Sequence, residues 1–444
     1  MNRLKHIIYN MISSLVEIGF RIKIYYCSKK HYKERIEQQR KPKLLFGTTP
    51  VINNKYWSNA LKKDGWDSVT LMKNYYSINS SEDFDLYFED ILKKSSFRFK
   101  YFCSDYIVLS FILKNFDIVH IPFNGFLFNN KWIKKNEIQL LKKYGCKIIV
   151  LPFGGDFYQY SKIPNLSWRH VLQVNYPNLA QEEAIIEKNI KKQTLNADAI
   201  ITGWATEGLG RWDVLPYNIL CIDIDKFCYP SRDFINDGKI GVVRIVHSPN
   251  HRYIKGTEFL IEAVSNLQNK GLLLELILIE NKTNEEVLNV LNTKADILVE
   301  QLVMGYGLSA IEGMSAGIPV LTNLDDEHYT RVFRRYSYLN ECPILSVTPE
   351  NIEEKIKILV LNPKLRRKLG TASREYVKKY HSYESAKYMF NRVYEKIWFN
   401  KDVDLMNMYH PLHPDSYNNK TPLVKHPLVE NKIPDELMQG LYKY

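Results

Sequence analysis

The chain has 444 residues, 45% hydrophobic and 25% charged, the proportions of a globular protein large enough for two or three domains. Lys and Arg number 61 against 49 Asp and Glu, a formal net charge of +12 that suits an anionic partner, whether membrane surface, nucleic acid or phosphorylated substrate. The six scattered cysteines form no C-x-x-C pair, which argues for reduced thiols, as in a cytoplasmic protein, and against a zinc cluster; no run of about 18 apolar residues offers a spanning helix.

The opening stretch, MNRLKHIIYNMISSLVEIGFRIKIYYCSKK, has basic flanks. Asn10 and Glu17 interrupt it and no small-residue cleavage site follows, so a signal peptide is a poor reading. Ile8, Met11, Ile12, Leu15, Ile18 and Ile22 recur at helical spacing. This predicts a basic amphipathic helix within residues 1–42, either lying on an anionic bilayer or packed on its own domain.

From Lys43 short β-rich runs alternate with helical ones, the pattern of a parallel sheet with crossover helices. KLLFG (43–47), SVTLM (68–72), FDIVHIP (116–122), KIIVLPF (147–153) and ADAIITG (197–203) read as strands. Residues 54–63 and KNEIQLLKKYG (135–145) read as helices. Around IDIDKFCYPSRDFINDGKIG (222–241) the composition turns polar, and a boundary between domains 43–225 and 226–395 is expected there. The alternation restarts with the strand GVVRIVH (241–247), a helix over 257–270, the strand LLLELILI (272–279), the helix EEVLNVLN (285–292) and the strand DILVEQL (296–302). PVLTNL (319–324) is a further strand, residues 348–399 are mostly helical, and the C-terminal tail, 396–444, is expected to be irregular after Asn400. The fold class is therefore α/β, two doubly wound parallel-sheet domains in series, with ligands expected at strand ends in the cleft between them.

MGYGLSAIEGMSAGIPV (304–320) carries the strongest chemical signal. Gly305 and Gly307 stand between a strand and a helix, where glycine lets backbone approach a ligand. The unpaired amides near Gly307 and Leu308 form an anion site suited to phosphate. Glu312 lies about one turn further in and leans back toward that site. Beside a phosphate it would repel, so ribose hydroxyls suit it better. The bland alternative is a turn whose glycines serve packing and whose glutamate is solvated. In HSPNHRYIKGTEF (247–259), Arg252 and Lys255 precede a helix that Thr257 is expected to cap. Cations there oppose the helix dipole unless one bound anion neutralises both.

These segments resemble the family-4-like glycosyltransferases of the GT-B fold over about residues 43–395. The first is similar to their E-G-x-G-x-x-x-x-E-A-M-A-x-G-x-P-V signature. NHRYIKGTEFLIEAV, the linker IDIDKF with Pro230, and LNPKLRRKLGTASREYVKKYHSYE resemble their donor loop, interdomain linker and closing helices. The resemblance implies a Rossmann-like acceptor-side domain, a donor-binding domain, and C-terminal helices crossing back. It implies transfer of a sugar from a nucleotide-diphosphate sugar to a glycan or lipid-linked acceptor, with retention and no bound metal or other cofactor, in surface-polysaccharide synthesis at the inner face of the cell membrane. Carried over by position, Arg252 and Lys255 would stabilise the leaving diphosphate. Glu312 would hold the ribose, and the backbone of Gly305, Tyr306, Gly307 and Leu308 would meet sugar or phosphate. Gly47 and Thr48 would close on the donor phosphates. His120 matches a family histidine. Asp156 is a candidate for a sugar or acceptor contact.

The departures are specific. Met304 stands where the family has its first glutamate, which motivates a second reading, a non-catalytic nucleotide-sugar-binding protein of the same fold. Pro122 replaces a second histidine, and Gly155-Asp156 replaces a His-Asp pair. Asp223 and Asp225 form a D-x-D, a metal-chelating motif in another transferase class, but they fall in the linker. DDE (325–327) reads as a solvated loop or the rim of the donor pocket. No motif supports nucleic-acid binding, and no G-x-G-x-x-G follows a first strand as in a dehydrogenase.

Overall fold

The computed structural model describes residues 2–37, 40–76, 79–97, 100–203, 209–217, 220–227, 234–335 and 339–438. Pro230 of the linker signature lies outside them. The first sheet contains β1 (Leu44–Thr48), β2 (Ser68–Met72), β3 (Leu86–Tyr87), β4 (Ile118–Ile121), β5 (Lys147–Val150), β6 (Ala199–Ile201) and β7 (Val214–Leu215). Their order is β3-β2-β1-β4-β5-β6-β7. The second contains β8 (Val243–His247), β9 (Leu274–Leu278), β10 (Ile297–Gln301), β11 (Val320–Thr322) and β12 (Leu345–Ser346), ordered β12-β11-β10-β8-β9. All pairings are parallel. Most strands read as near-continuous apolar runs because helices cover both faces: Leu44, Leu45, Phe46, Ile148, Ile149, Ile297 and Val299 are all fully buried. Strand order reverses between β1 and β4 and between β8 and β10, which places a ligand crevice at the carboxyl ends of each pair.

The halves interlock through the helix Tyr383–Ile397, which packs on the helix Asn53–Lys63 of the first sheet. Phe390 meets Phe46 edge-on at 5.7 Å, Tyr394 meets Trp66 at 5.0 Å, and Asn391 Nδ2 donates to Asp64 at 2.8 Å. Two doubly wound domains with a terminal helix returning to the first are the GT-B arrangement. The tail beyond Asn400 is largely irregular, yet it is packed: Tyr409 and Tyr417 are buried, and Glu341 takes the Val424 amide as well as Lys379 and Tyr380.

The chain opens with the helix Asn2–Glu37. Its packed face carries Phe20, Ile24, Ser28 and Arg35; Phe20 stacks on Tyr106 at 5.7 Å. Buried Arg35 donates to Asp117 at 2.8 Å and to the carbonyls of Leu113, Phe116 and Tyr144. Of the stripe singled out in the sequence, the side chains of Ile8, Met11 and Ile12 lie outside those described, and the remainder faces the other way. Leu15 is 67% exposed, Ile18 48% and Ile22 51%. Ile22 and Ile24 are two residues apart, about 200° around a helix, so the packed face and the apolar stripe are opposite sides.

Candidate active site

The second-domain wall begins where β8 ends. Residues Arg252–Lys255 form their own helical turn, which Gly256 closes in the left-handed conformation at φ 71°, its N–H on the Arg252 and Tyr253 carbonyls. A Cβ at position 256 would press on Leu302 at 2.9 Å. This corrects the expectation of a Thr257 cap. Thr257 is buried, and its hydroxyl donates to His247 Nε2 at 2.8 Å, while His247 Nδ1–H donates to the Val299 carbonyl. Lys255 consequently stands at the carboxyl end of a helical turn, where a cation is favoured.

The sequence predicted one foreign anion between Arg252 and Lys255. Each cation instead has carboxylates of the chain itself. Arg252 donates to Glu258 at 2.8 Å and to Glu280 at 3.1 Å. Lys255 Nζ donates to Glu300 at 3.1 Å and to the Gln301 side chain at 3.3 Å. Glu300, buried at the end of β10, also accepts from the Gly307 amide at 3.0 Å and the Ser309 hydroxyl at 3.1 Å. It therefore occupies the amino end of the helix Leu308–Ser315, the place read from sequence as a phosphate site. Sequence reasoning passed over Glu300. Its signal was an acid in an otherwise apolar parallel strand, where an unpaired charge would be costly.

Gly305 has φ 64° and holds the turn between strand and helix: its N–H donates to Asn323, and its carbonyl accepts from Thr322 Oγ1 and Gln301 Nε2. Gly307 is extended and half-buried Leu308 begins the helix. The Tyr306 ring is buried inside the protein. Its hydroxyl is 2.9 Å from that of Tyr376 and 3.0 Å from His381 Nε2, which ties the turn to the closing helices. Glu312 is buried one turn into the helix, and Asn284 Nδ2 donates to it at 2.9 Å. Burial pushes its carboxyl up to about 7, the charge of Glu300 adds to this, and the Asn284 bond opposes it. Asn284 heads the helix Asn284–Thr293 and was not singled out in the sequence.

On the first-domain wall, Gly47 lies so close to Leu71 that a Cβ would sit 2.0 Å from its carbonyl oxygen. Thr48 is buried beside it. His120 presents neither nitrogen to the cleft. Nδ1–H donates to the Leu45 carbonyl at 2.9 Å, Nε2 accepts from the Tyr394 hydroxyl at 2.9 Å, and the ring stacks on Phe46 at 3.8 Å. Burial holds its pKa down to about 3. Asp156 likewise spends both oxygens internally. Oδ2 accepts the Phe123 amide, and Oδ1 those of Phe153 and Gly154, so it staples the loops after β4 and β5. Both side chains are buried, with these partners inside the protein.

The two walls meet. Ile254, Val303 and Met304 join Trp168, Leu172 and Tyr158 in one apolar cluster, and the Tyr176 and His251 rings are 5.3 Å apart. Met304 thus packs across the cleft where the resemblance expects a carboxylate. Asn165 and Asp326 bond across the same gap, and Asp326 also caps the helix Glu327–Arg335 through the His328 amide. Asp223 and Asp225 lie elsewhere, in a groove with Arg367, Lys368 and Tyr383, and Asp223 pairs with Lys63 at 3.4 Å.

No family model matches the chain. An uncharacterized glycosyltransferase of Methanocaldococcus jannaschii is 28% identical over 138 residues, 31% of this chain; the match spans only 38% of that protein's length. Among solved structures, S. aureus MnaA with UDP aligns over 82% of this chain and 99% of its own at 14% identity and a TM-score of 0.46. The glycosyltransferase SnogD from Streptomyces nogalater aligns over 79% and 99% at 12% identity and a TM-score of 0.40. The wall teichoic acid polymerase TagF aligns over 88% and 98% at 11% identity and a TM-score of 0.36.

Proposed function

We propose that the chain is a glycosyltransferase that moves a sugar, with retention, from a nucleotide-diphosphate sugar to a hydroxyl of a glycan or lipid-linked acceptor in surface-polysaccharide synthesis. One observation carries the reading: Lys255, the Gly307 amide and the Ser309 hydroxyl converge on a single carboxylate at a helix amino end. Phosphate oxygens use the same donors. In this reading the donor diphosphate displaces Glu300 from them, Lys255 and Arg252 stabilise the charge that grows on the leaving group, and Glu312 accepts from the ribose hydroxyls. The bond from the sugar's anomeric carbon to the phosphate oxygen breaks. A bond from that carbon to the acceptor oxygen forms on the same face, and the acceptor proton passes to the departing phosphate.

A thermal-shift panel of UDP, GDP, CDP and ADP sugars tests this, because a ligand that binds only the folded state raises its stability. Stabilisation by one donor, lost in Lys255→Ala and Glu312→Ala, is expected; no stabilisation by any of them would overturn it. Met304 keeps the non-catalytic reading in view. Donor binding with no release of nucleoside diphosphate across a panel of acceptors would favour that reading.

The same proposal places the protein on the inner face of a membrane. Among the described residues no helix is long and apolar enough to cross one. The helix Asn2–Glu37 has eight Lys and Arg against three Glu, and its outward stripe of Leu15, Ile18 and Ile22 continues into exposed Tyr25 and Tyr26 and the exposed Lys29 and Lys33. Apolar side chains flanked by cations suit an anionic bilayer surface.

A further inference from the structure

A recess of about 230 Å3 opens at the carboxyl ends of β1, β4, β5 and β6. Val51, Trp57, Leu151, Phe157 and Tyr158 line it from the first domain, and Met304 lines it from the second. Among the described residues, no Asp, Glu, Lys or Arg contributes to its walls. His120, the one imidazole among the described lining residues, has both nitrogens bonded within the protein. The described walls thus offer a diphosphate no cation, and Arg252 and Lys255 stand on the other domain. A free hexose fits poorly too, since most of its hydroxyls would lose water without gaining a partner.

Two polar atoms are left over. The hydroxyls of Thr49 and Thr202 both belong to residues lining the recess, both are buried, and neither has a hydrogen-bond partner among the described residues. Buried hydroxyls are normally paired, so these two point to a ligand atom. An apolar cavity of about 150 Å3 accepts a benzene, so this one accommodates a substituted or fused ring, or a branched hydrocarbon of similar bulk.

We propose that the recess is the acceptor subsite and takes an uncharged, mainly apolar group adjoining the hydroxyl that receives the sugar, with Thr49 and Thr202 bonding to its oxygen. Met304 is then a specificity residue: a carboxylate there would face an apolar ligand with no cation to pair it. The assignment as an acceptor subsite rests on the glycosyl-transfer reading; the binding itself does not.

The test is a fluorescence titration of the full chain with 4-methylumbelliferone at pH 6.5, with glucose as competitor, beside a separate calorimetric titration with UDP, GDP, CDP and ADP. Saturable probe binding is expected, unaffected by glucose and weakened about tenfold or more by Met304→Glu, which sets a charge against the ring. Thr202→Val, which keeps the shape and removes one hydroxyl, is expected to weaken it several-fold. Absence of saturable binding, displacement by glucose, or equal affinity in a folded Met304→Glu and in Thr202→Val would overturn the proposal. Nucleotide binding without probe binding sinks the recess alone. Probe binding without nucleotide binding upholds the recess and sinks the transfer reading.

Discussion

Glu300 and Lys255 form an ion pair of 3.1 Å in the wall of the cleft, with the carboxylate almost wholly buried and the lysine side chain 13% exposed. The pair sits where the donor's phosphates are proposed to bind, so the two anions compete. Glu300→Gln keeps the shape and removes the competing charge. Its affinity for the cognate nucleoside diphosphate is expected to rise by about threefold to tenfold, equivalent to about 1 kcal/mol, as read by calorimetry. Weaker binding in this variant would instead make Glu300 the residue that positions Lys255.

Lys255→Ala should cost more in stability than in contacts. It leaves Glu300 buried without its cation, and breaking such a pair from one side typically costs about 3–5 kcal/mol. Urea denaturation should show a lower midpoint, partly restored in Lys255→Ala/Glu300→Gln, while nucleotide binding stays lost in both. Restored binding in the double variant would remove Lys255 from the donor site.

Glu312 makes stability depend on pH in a defined direction. Its carboxyl titrates near 4.5 when unfolded and at about 7 when folded, so between these values the folded chain holds the extra proton. Its contribution is fully present below pH 4.5 and is lost as pH rises toward 7; the interval corresponds to about 3 kcal/mol at most. Relative to the native protein, Glu312→Gln should therefore gain melting temperature at pH 8 and not at pH 4.5. A constant difference across that range would contradict the assignment.

Tyr394→Phe separates architecture from chemistry. It removes the hydrogen bond to His120 Nε2 and leaves a buried acceptor unpaired, at about 1–3 kcal/mol. The melting temperature should fall while the donor's KM and the shape of the pH–rate profile are unchanged. A profile altered between pH 5 and 8 would return His120 to the catalytic machinery.

For membrane attachment, substitution is a cleaner test than truncation, since removing residues 1–40 would also strip Arg35 and Arg40 from Asp117. Ile18→Asp/Ile22→Asp changes only the outward stripe. Binding to phosphatidylglycerol vesicles in sedimentation assays should drop at least tenfold with no change in melting temperature. Undiminished binding would place the contact elsewhere.

Much of the fold was legible because buried parallel strands are near-continuous apolar runs. β2 coincides with SVTLM, and β10 lies within DILVEQL. β3, β7 and β12 have two residues each, too few to show any pattern. The helix Ser104–Asn115 escaped notice because SDYIVLSFILKN is apolar on most sides and shows no helical stripe. In the candidate site, Lys255, Gly305, Gly307 and Glu312 were singled out because glycines and charges between strands and helices stand out. Glu300 was hidden inside a strand, and its meaning depends on Lys255 and Gly307, which only folding brings to it. That the side chains of Tyr306, His120 and Asp156 already have partners inside the protein is something sequence does not reveal.

The returning helix Tyr383–Ile397 constrains how this molecule can be dissected. A fragment ending near Phe227 would leave Trp57, Trp66 and Phe46 bare and His120 short of its hydroxyl partner, because Phe390 and Tyr394 would be missing. Separate expression of the amino-terminal half is therefore expected to yield insoluble material. A soluble half requires grafting residues 383–397 onto it, or a circular permutation that brings them into the same segment.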